Sequence, residues 1–198
     1  MSNELRNFLA IPYDDLEELN LNAKEQRKNR VAMHKIQEER LEYLGGEKRI
    51  KAVTVLFSDL EGRLHMLDYD KKFLLKSWDN LTFDGSSIRG FTAQRESDLR
   101  LGIDWAAFYW GPADIFGPGK VLVFGDVIDK NGGPYAADIR GILKGYAEGL
   151  NKKQGYTLNA ANEIEGLTAR NSARPGRNRT RRGSSQTRVP ARPSAGTA

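Results

Sequence analysis

The chain has 198 residues, 39% of them hydrophobic, with a formal net charge of +5 and no cysteine. That length holds one full domain and part of another, and without cysteine disulfides, thiol nucleophiles and cysteine-based zinc sites are excluded. No apolar run approaches the ~18 residues of a membrane span, and the start turns acidic where a signal peptide needs an apolar stretch, so a cytoplasmic location is expected.

Residues 14–44 read as helix in two pieces. "DDLEEL" supplies acids for a first turn, and Asn22 is placed to cap a longer stretch that ends at Gly45-Gly46. Val31, Met33, Ile36, Leu41 and Leu44 make a sparse apolar stripe, suited to a helix lying on a domain or partner. His34, among Lys, Arg and Glu, belongs to a solvated face.

From Ile50, "IKAVTVLF" is rich in β-branched residues and almost wholly apolar, the pattern of a strand buried on both faces. "SDLEG" then leads into "RLHMLDYD", whose alternation predicts a β-hairpin reversing near Gly62, with His65 as a side chain on a sheet face. The stretch "TFDGSSIRGF" (Thr82 to Phe91) reads from its residues alone as a tight turn, because Gly, Asp and Ser favour one. Further strands are predicted at Asp98 to Asp104 and at Lys120 to Asp129, giving a small mixed sheet.

After Pro134, Ile139, Ile142, Leu143, Tyr146 and Leu150 recur at helical spacing, and Gly141, Gly145 and Gly149 recur every four residues, as for close packing on a sheet. A strand is predicted from Thr157 to Glu165. It would place Glu163 and Glu165 on one face, either as decoration of a solvated sheet or as ligands for a hard divalent cation.

Beyond Gly166 the character changes. Residues 167–198 carry eight Arg, no acid and no aromatic; setting those eight aside leaves 23 basic against 26 acidic residues, so residues 1–166 carry −3. Such a segment buries too little to offset its chain entropy, and disorder is expected. The abrupt switch to Arg alone suggests a reading-frame change in a GC-rich gene, with a genuine nucleic-acid-binding tail as the rival reading. Either way the arginines favour nonspecific binding of polyanions.

"FDGSSIRGF", "ESDLRL", "GDVID" and "NEIEG", in that order, resemble the amino-terminal part of glutamine synthetase over roughly Ile50 to Gly166. The resemblance implies an α+β chain: an amino-terminal helical segment (1–48), a β-Grasp-like mixed sheet (49–132), the first helix and strand of a truncated catalytic domain (133–166), and the Arg-rich tail (167–198). It also implies a glutamate–ammonia ligase that uses ATP to form γ-glutamyl phosphate, in homo-oligomeric rings whose active sites lie between subunits. Asp84 then matches the aspartate that handles ammonium, with Ser87 beside the same site, and Glu163 and Glu165 match ligands of the catalytic Mg²⁺ or Mn²⁺. Arg89 departs from the small residue common there. The family's further metal, ATP and glutamate residues are not found after "NEIEG", so the chain alone is expected to be inactive. The rival reading from another class is a noncatalytic β-Grasp interaction module whose basic tail recruits nucleic acid.

Overall fold

In the computed structural model, residues 9–88, 91–94, 97–161 and 163 are described. They fall in two compact units divided after Leu158.

Near the start of the first unit, the described residues include the helices α1 (Tyr13–Lys28) and α2 (Met33–Gly46). The two-piece expectation holds, but the break lies at residues 29–32 and not at Asn22, which sits inside α1. Arg30 adopts φ 51 there, a left-handed conformation that ends a helix. The stripe of α2 buries Ile36 and Leu44.

β1 (Ala52–Ser58) is followed by β2 (Leu64–Asp70), antiparallel to it, with Gly62 at φ 77 in the connection. The helix α3 (Lys71–Ser77) follows, capped by Asp70, whose carboxylate accepts from the N–H groups of Lys72 and Phe73. The edge strand β3 (Leu81–Asp84), the long β4 (Asp98–Tyr109), the short α4 (Ala113–Phe116) and β5 (Lys120–Ile128) complete the sheet. Its order is β2-β1-β5-β4-β3, with β1 and β5 parallel and the other pairs antiparallel. β1 is thus paired on both sides, as its continuous apolar run requires.

One face of the sheet carries the core. Val53, Val55, Phe57, Leu101, Phe108, Val121 and Val123 are all at most 1% exposed, and α1, α2 and α3 close over them with Leu16, Ile36, Leu44 and Leu74. α1 is pinned just past the end of β4: Asn20 Nδ2 donates to the Trp110 carbonyl at 2.9 Å, and Trp110 N–H donates back to Asn20 Oδ1 at 3.1 Å.

α5 (Ile139–Gln154) overturns the expected packing. No residue of it is buried; Ile142, Leu143 and Tyr146 are 56%, 62% and 62% exposed. Ionic contacts hold the helix on the sheet instead. Arg140 pairs with Asp104 and Asp126 and lies over the Phe124 ring, and Lys144 Nζ stands 2.8 Å from Asp126. A methyl group added at Gly145 or Gly149 would meet nothing within 4 Å, so neither glycine makes a close contact with the sheet.

In the predicted strand from Thr157, residues 157–161 form none, and Tyr156 and Leu158 are exposed.

Candidate functional site

β3 alternates as an edge strand should. Leu81 is buried and Phe83 half-buried, while Thr82 and Asp84 face outward and are exposed. The Phe83 ring stands 4.7 Å from Phe57 and 6.3 Å from Phe91, centroid to centroid, so an aromatic floor fixes the residue next to Asp84.

A single 3-10 turn, Gly85–Ser87, follows. Gly85 is buried and not in a left-handed conformation. Glycine is required here by space: a Cβ would lie 2.6 Å from Thr92 Cγ2 and 2.8 Å from Leu99 Cδ1. The Gly85 N–H donates to the Ser97 carbonyl at 2.7 Å, and the Gly85 carbonyl accepts from Ile88 N–H at 3.2 Å.

The turn folds both serines back onto Asp84. Oδ1 accepts from Ser86 N–H at 2.9 Å and from Ser86 Oγ at 2.6 Å, and Oδ2 accepts from Ser87 Oγ at 2.8 Å. The hydroxyls of Ser86 and Ser87, then the Ser86 N–H, hold the Asp84 carboxyl below the usual carboxylate range. It is therefore a fixed, exposed anion at neutral pH. The turn brings Ser87, which the sequence expectation names beside Asp84, onto its carboxylate, together with Ser86, which the expectation does not single out.

Asp98 is a second carboxylate that the sequence reading does not assign. It is the direct cross-strand partner of Asp84, and both are exposed. Directly opposed residues of an antiparallel pair present their side chains on the same face. The motif "ESDLRL" contains this residue, but only the register reveals its placement.

His65 stands on the sheet face, stacked on its cross-strand partner Phe57 at 5.4 Å, with Nε2 2.8 Å from Asp59 Oδ2. Asp59 Oδ1 also accepts from Glu61 N–H and Arg63 N–H, both at 2.9 Å, which closes the turn between β1 and β2. His34 is exposed on α2.

Of the predicted metal ligands, Glu163 is exposed in the second unit, while Glu165 lies outside the described residues, as do Arg89 and residues 167–198. Among the described residues no group of three or more His, Asp or Glu is placed to hold a metal ion. The described donors alone thus do not build a metal centre. No helix among the described residues is long and apolar enough to cross a membrane.

Residues 49–130 match the family described as "Glutamine synthetase, beta-Grasp domain". The glutamine synthetase of Methanosarcina mazei is 33% identical over 124 residues, covering 60% of this chain and 27% of that protein. That of Clostridium saccharobutylicum is 37% identical over 124 residues, with the same coverages. A cryo-EM structure of Plasmodium falciparum glutamine synthetase shares the fold at a TM-score of 0.51 and 24% identity, covering 59% of this chain and 22% of that one. The chain spans about a quarter of the length of the curated relatives it matches.

Proposed function

We propose, from the match of residues 49–130 to the glutamine synthetase β-Grasp domain, that the chain is the amino-terminal part of an ATP-dependent glutamate–ammonia ligase, in which Asp84 handles ammonium. The observation that carries this reading is the exposed Asp84 carboxylate, held by Ser86 and Ser87 and faced by Asp98. Two like charges directly opposite one another are unfavourable alone and become favourable around a small cation.

The work of the carboxylate divides into two stages. In the free loop the depressed carboxyl binds a proton poorly, so its first task is to attract and orient NH₄⁺. When the loop is buried against a neighbouring subunit, loss of water raises the carboxyl's proton affinity and lets it take a proton from ammonium. Ammonia is then released beside its electrophile, the acyl carbon of γ-glutamyl phosphate. Ser87 keeps the carboxylate aimed outward through its hydroxyl.

The remaining parts of the proposal rest on the family alone. They are ligation of Mg²⁺ or Mn²⁺ by Glu163 and Glu165, a ring of subunits with shared sites, a cytoplasmic location, and inactivity of this chain by itself. A metal so bound would neutralise ATP oxygens during phosphoryl transfer.

A chimera of residues 1–166 joined to the remaining part of the Clostridium saccharobutylicum relative tests the Asp84 role. Glutamine formation is expected, and Asp84→Asn should lower kcat/KM for ammonium by about 10²–10⁴, the usual contribution of a proton-transfer group. Binding of ATP should be unchanged. An Asp84→Asn chimera with undiminished ammonium kinetics would remove the proposal's support.

A further inference from the structure

Tyr135 lies beyond the end of the matched domain, yet it touches the loop that carries Asp84. Its phenol donates a hydrogen bond to the Phe91 carbonyl, and its ring meets the Phe91 ring edge-on, with centroids 5.2 Å apart. Phe91 is 3% exposed and packs on both Phe57 and Phe83. From Phe91 the contacts run back to the site: Phe91 N–H donates to the Ile88 carbonyl at 3.0 Å, and Ile88 N–H donates to the Gly85 carbonyl at 3.2 Å. Gly85 is the residue after Asp84.

Tyr135 itself is held firmly. Its N–H donates to the Val127 carbonyl at 2.9 Å, and its carbonyl accepts from Asp138 N–H at 3.0 Å. Asp138 is 1% exposed; its carboxylate accepts from Val127 N–H at 2.9 Å and caps α5 by accepting from Arg140 N–H at 3.1 Å. The phenol is thus presented from a fixed backbone anchored to both β5 and α5.

We propose that Tyr135 is a positioning residue for Asp84: by pinning Phe91 it holds the chain leaving the Gly85–Ser87 turn, and so keeps Ser86 and Ser87 on the carboxylate. A lone 3-10 turn is weak by itself, with poor hydrogen-bond geometry and only three residues. Its exit therefore needs an external anchor, and Tyr135 supplies one from the segment that leads into α5. The inference rests on the reading of Asp84 as the working carboxylate.

Tyr135→Phe in the full chain isolates the phenol, because it keeps the ring and its packing. ¹³C carboxyl NMR would follow the titration of Asp84, and amide exchange would follow Ile88. The expected result is an Asp84 titration moved upward toward an ordinary aspartate and an Ile88 amide that exchanges about fivefold faster, the loss of one net hydrogen bond. The titration of Asp59, held by a different turn, should not move. Tyr135→Leu, which also removes the ring contact, should displace Asp84 further.

Superimposable Asp84 titrations in wild type and Tyr135→Phe would overturn the inference, even if the variant melted earlier, because Tyr135 would then be merely structural. Ammonium chloride, compared with sodium chloride, separates the two claims. An Asp84 signal that ammonium fails to move in the wild type counts against the ammonium reading. The difference between wild type and Tyr135→Phe decides the role of Tyr135.

Discussion

Asp84 and Asp98 face one another on the terminal rung of the β3–β4 ladder, both exposed and both on the same face of the sheet. Opposed carboxylates repel. Asp98→Asn should therefore leave the isolated chain at least as stable in urea unfolding, while weakening whatever cation binding Asp84 supports. A loss of stability on that substitution would show that Asp98 has a structural partner rather than a functional one.

Gly85→Ala should be costly at a position where the backbone conformation is unremarkable. The added methyl would meet Thr92 Cγ2 and Leu99 Cδ1 at 2.6 and 2.8 Å, and Thr92 is β-branched and slow to yield. Overpacking of this kind costs about 1–3 kcal/mol. Urea unfolding checks the energy, and an upward move of the Asp84 titration checks that the turn has been displaced.

Acid should unfold the domain through identifiable carboxylates. Asp59 is held below the usual range chiefly by His65, Asp68 chiefly by Lys120 and then Thr54, and Glu47 by Arg49. A carboxyl depressed in the folded state contributes stability that is fully present above its unfolded value, about 4, and is lost as pH falls through the folded value. Stability measured from pH 6 downward should stay flat until about pH 4 and then fall. Asp59→Asn should be less stable at pH 6 and show a shallower decline, and an unchanged slope would mean that the Asp59–His65 contact contributes nothing.

Arg140 is the main fastening of α5. It pairs with Asp104 and Asp126 and covers Phe124, while no residue of the helix is buried. A hydrogen bond to a charged group contributes about 1.5–3 kcal/mol, so Arg140→Ala should speed amide exchange in residues 139–154 by about tenfold or more. Exchange in β5 at residues 121–123 should stay slow, because that strand is buried by other elements.

The legible parts of the fold are those with a strong local period. β1, its hairpin to β2, β5 and the helix from Ile139 all follow from alternation or helical spacing. β3 is hidden because its four residues, Leu81–Asp84, run straight into turn chemistry, and α3 because only seven residues separate its Asp70 cap from its end. β4 extends to Tyr109 past a shift in register after Ile103, which no periodicity could carry through. The spacing in α5 shows correctly that the helix is amphipathic but points to the wrong side. Periodicity says that one face is apolar, and only the positions of Asp104 and Asp126 reveal that the basic face is the one bound to the sheet. For the candidate site, the motif draws attention to Asp84 and Ser87, but the opposition of Asp98 and the reach of Tyr135 depend on register and on contacts between segments far apart in sequence.

The central claim is that Asp84 completes a site belonging to another subunit, and mixing chimeras tests it most directly. Two inactive proteins would be prepared, each with residues 1–166 joined to the remainder of the Clostridium saccharobutylicum relative, one carrying Asp84→Ala and the other Glu165→Ala. Dissociated and reassembled together, they should regain glutamine synthesis that neither has alone, because some interfaces would then combine an intact Asp84 with an intact Glu165. Mixed assemblies that form, as shown by mass, yet stay as inactive as their parents would contradict the claim.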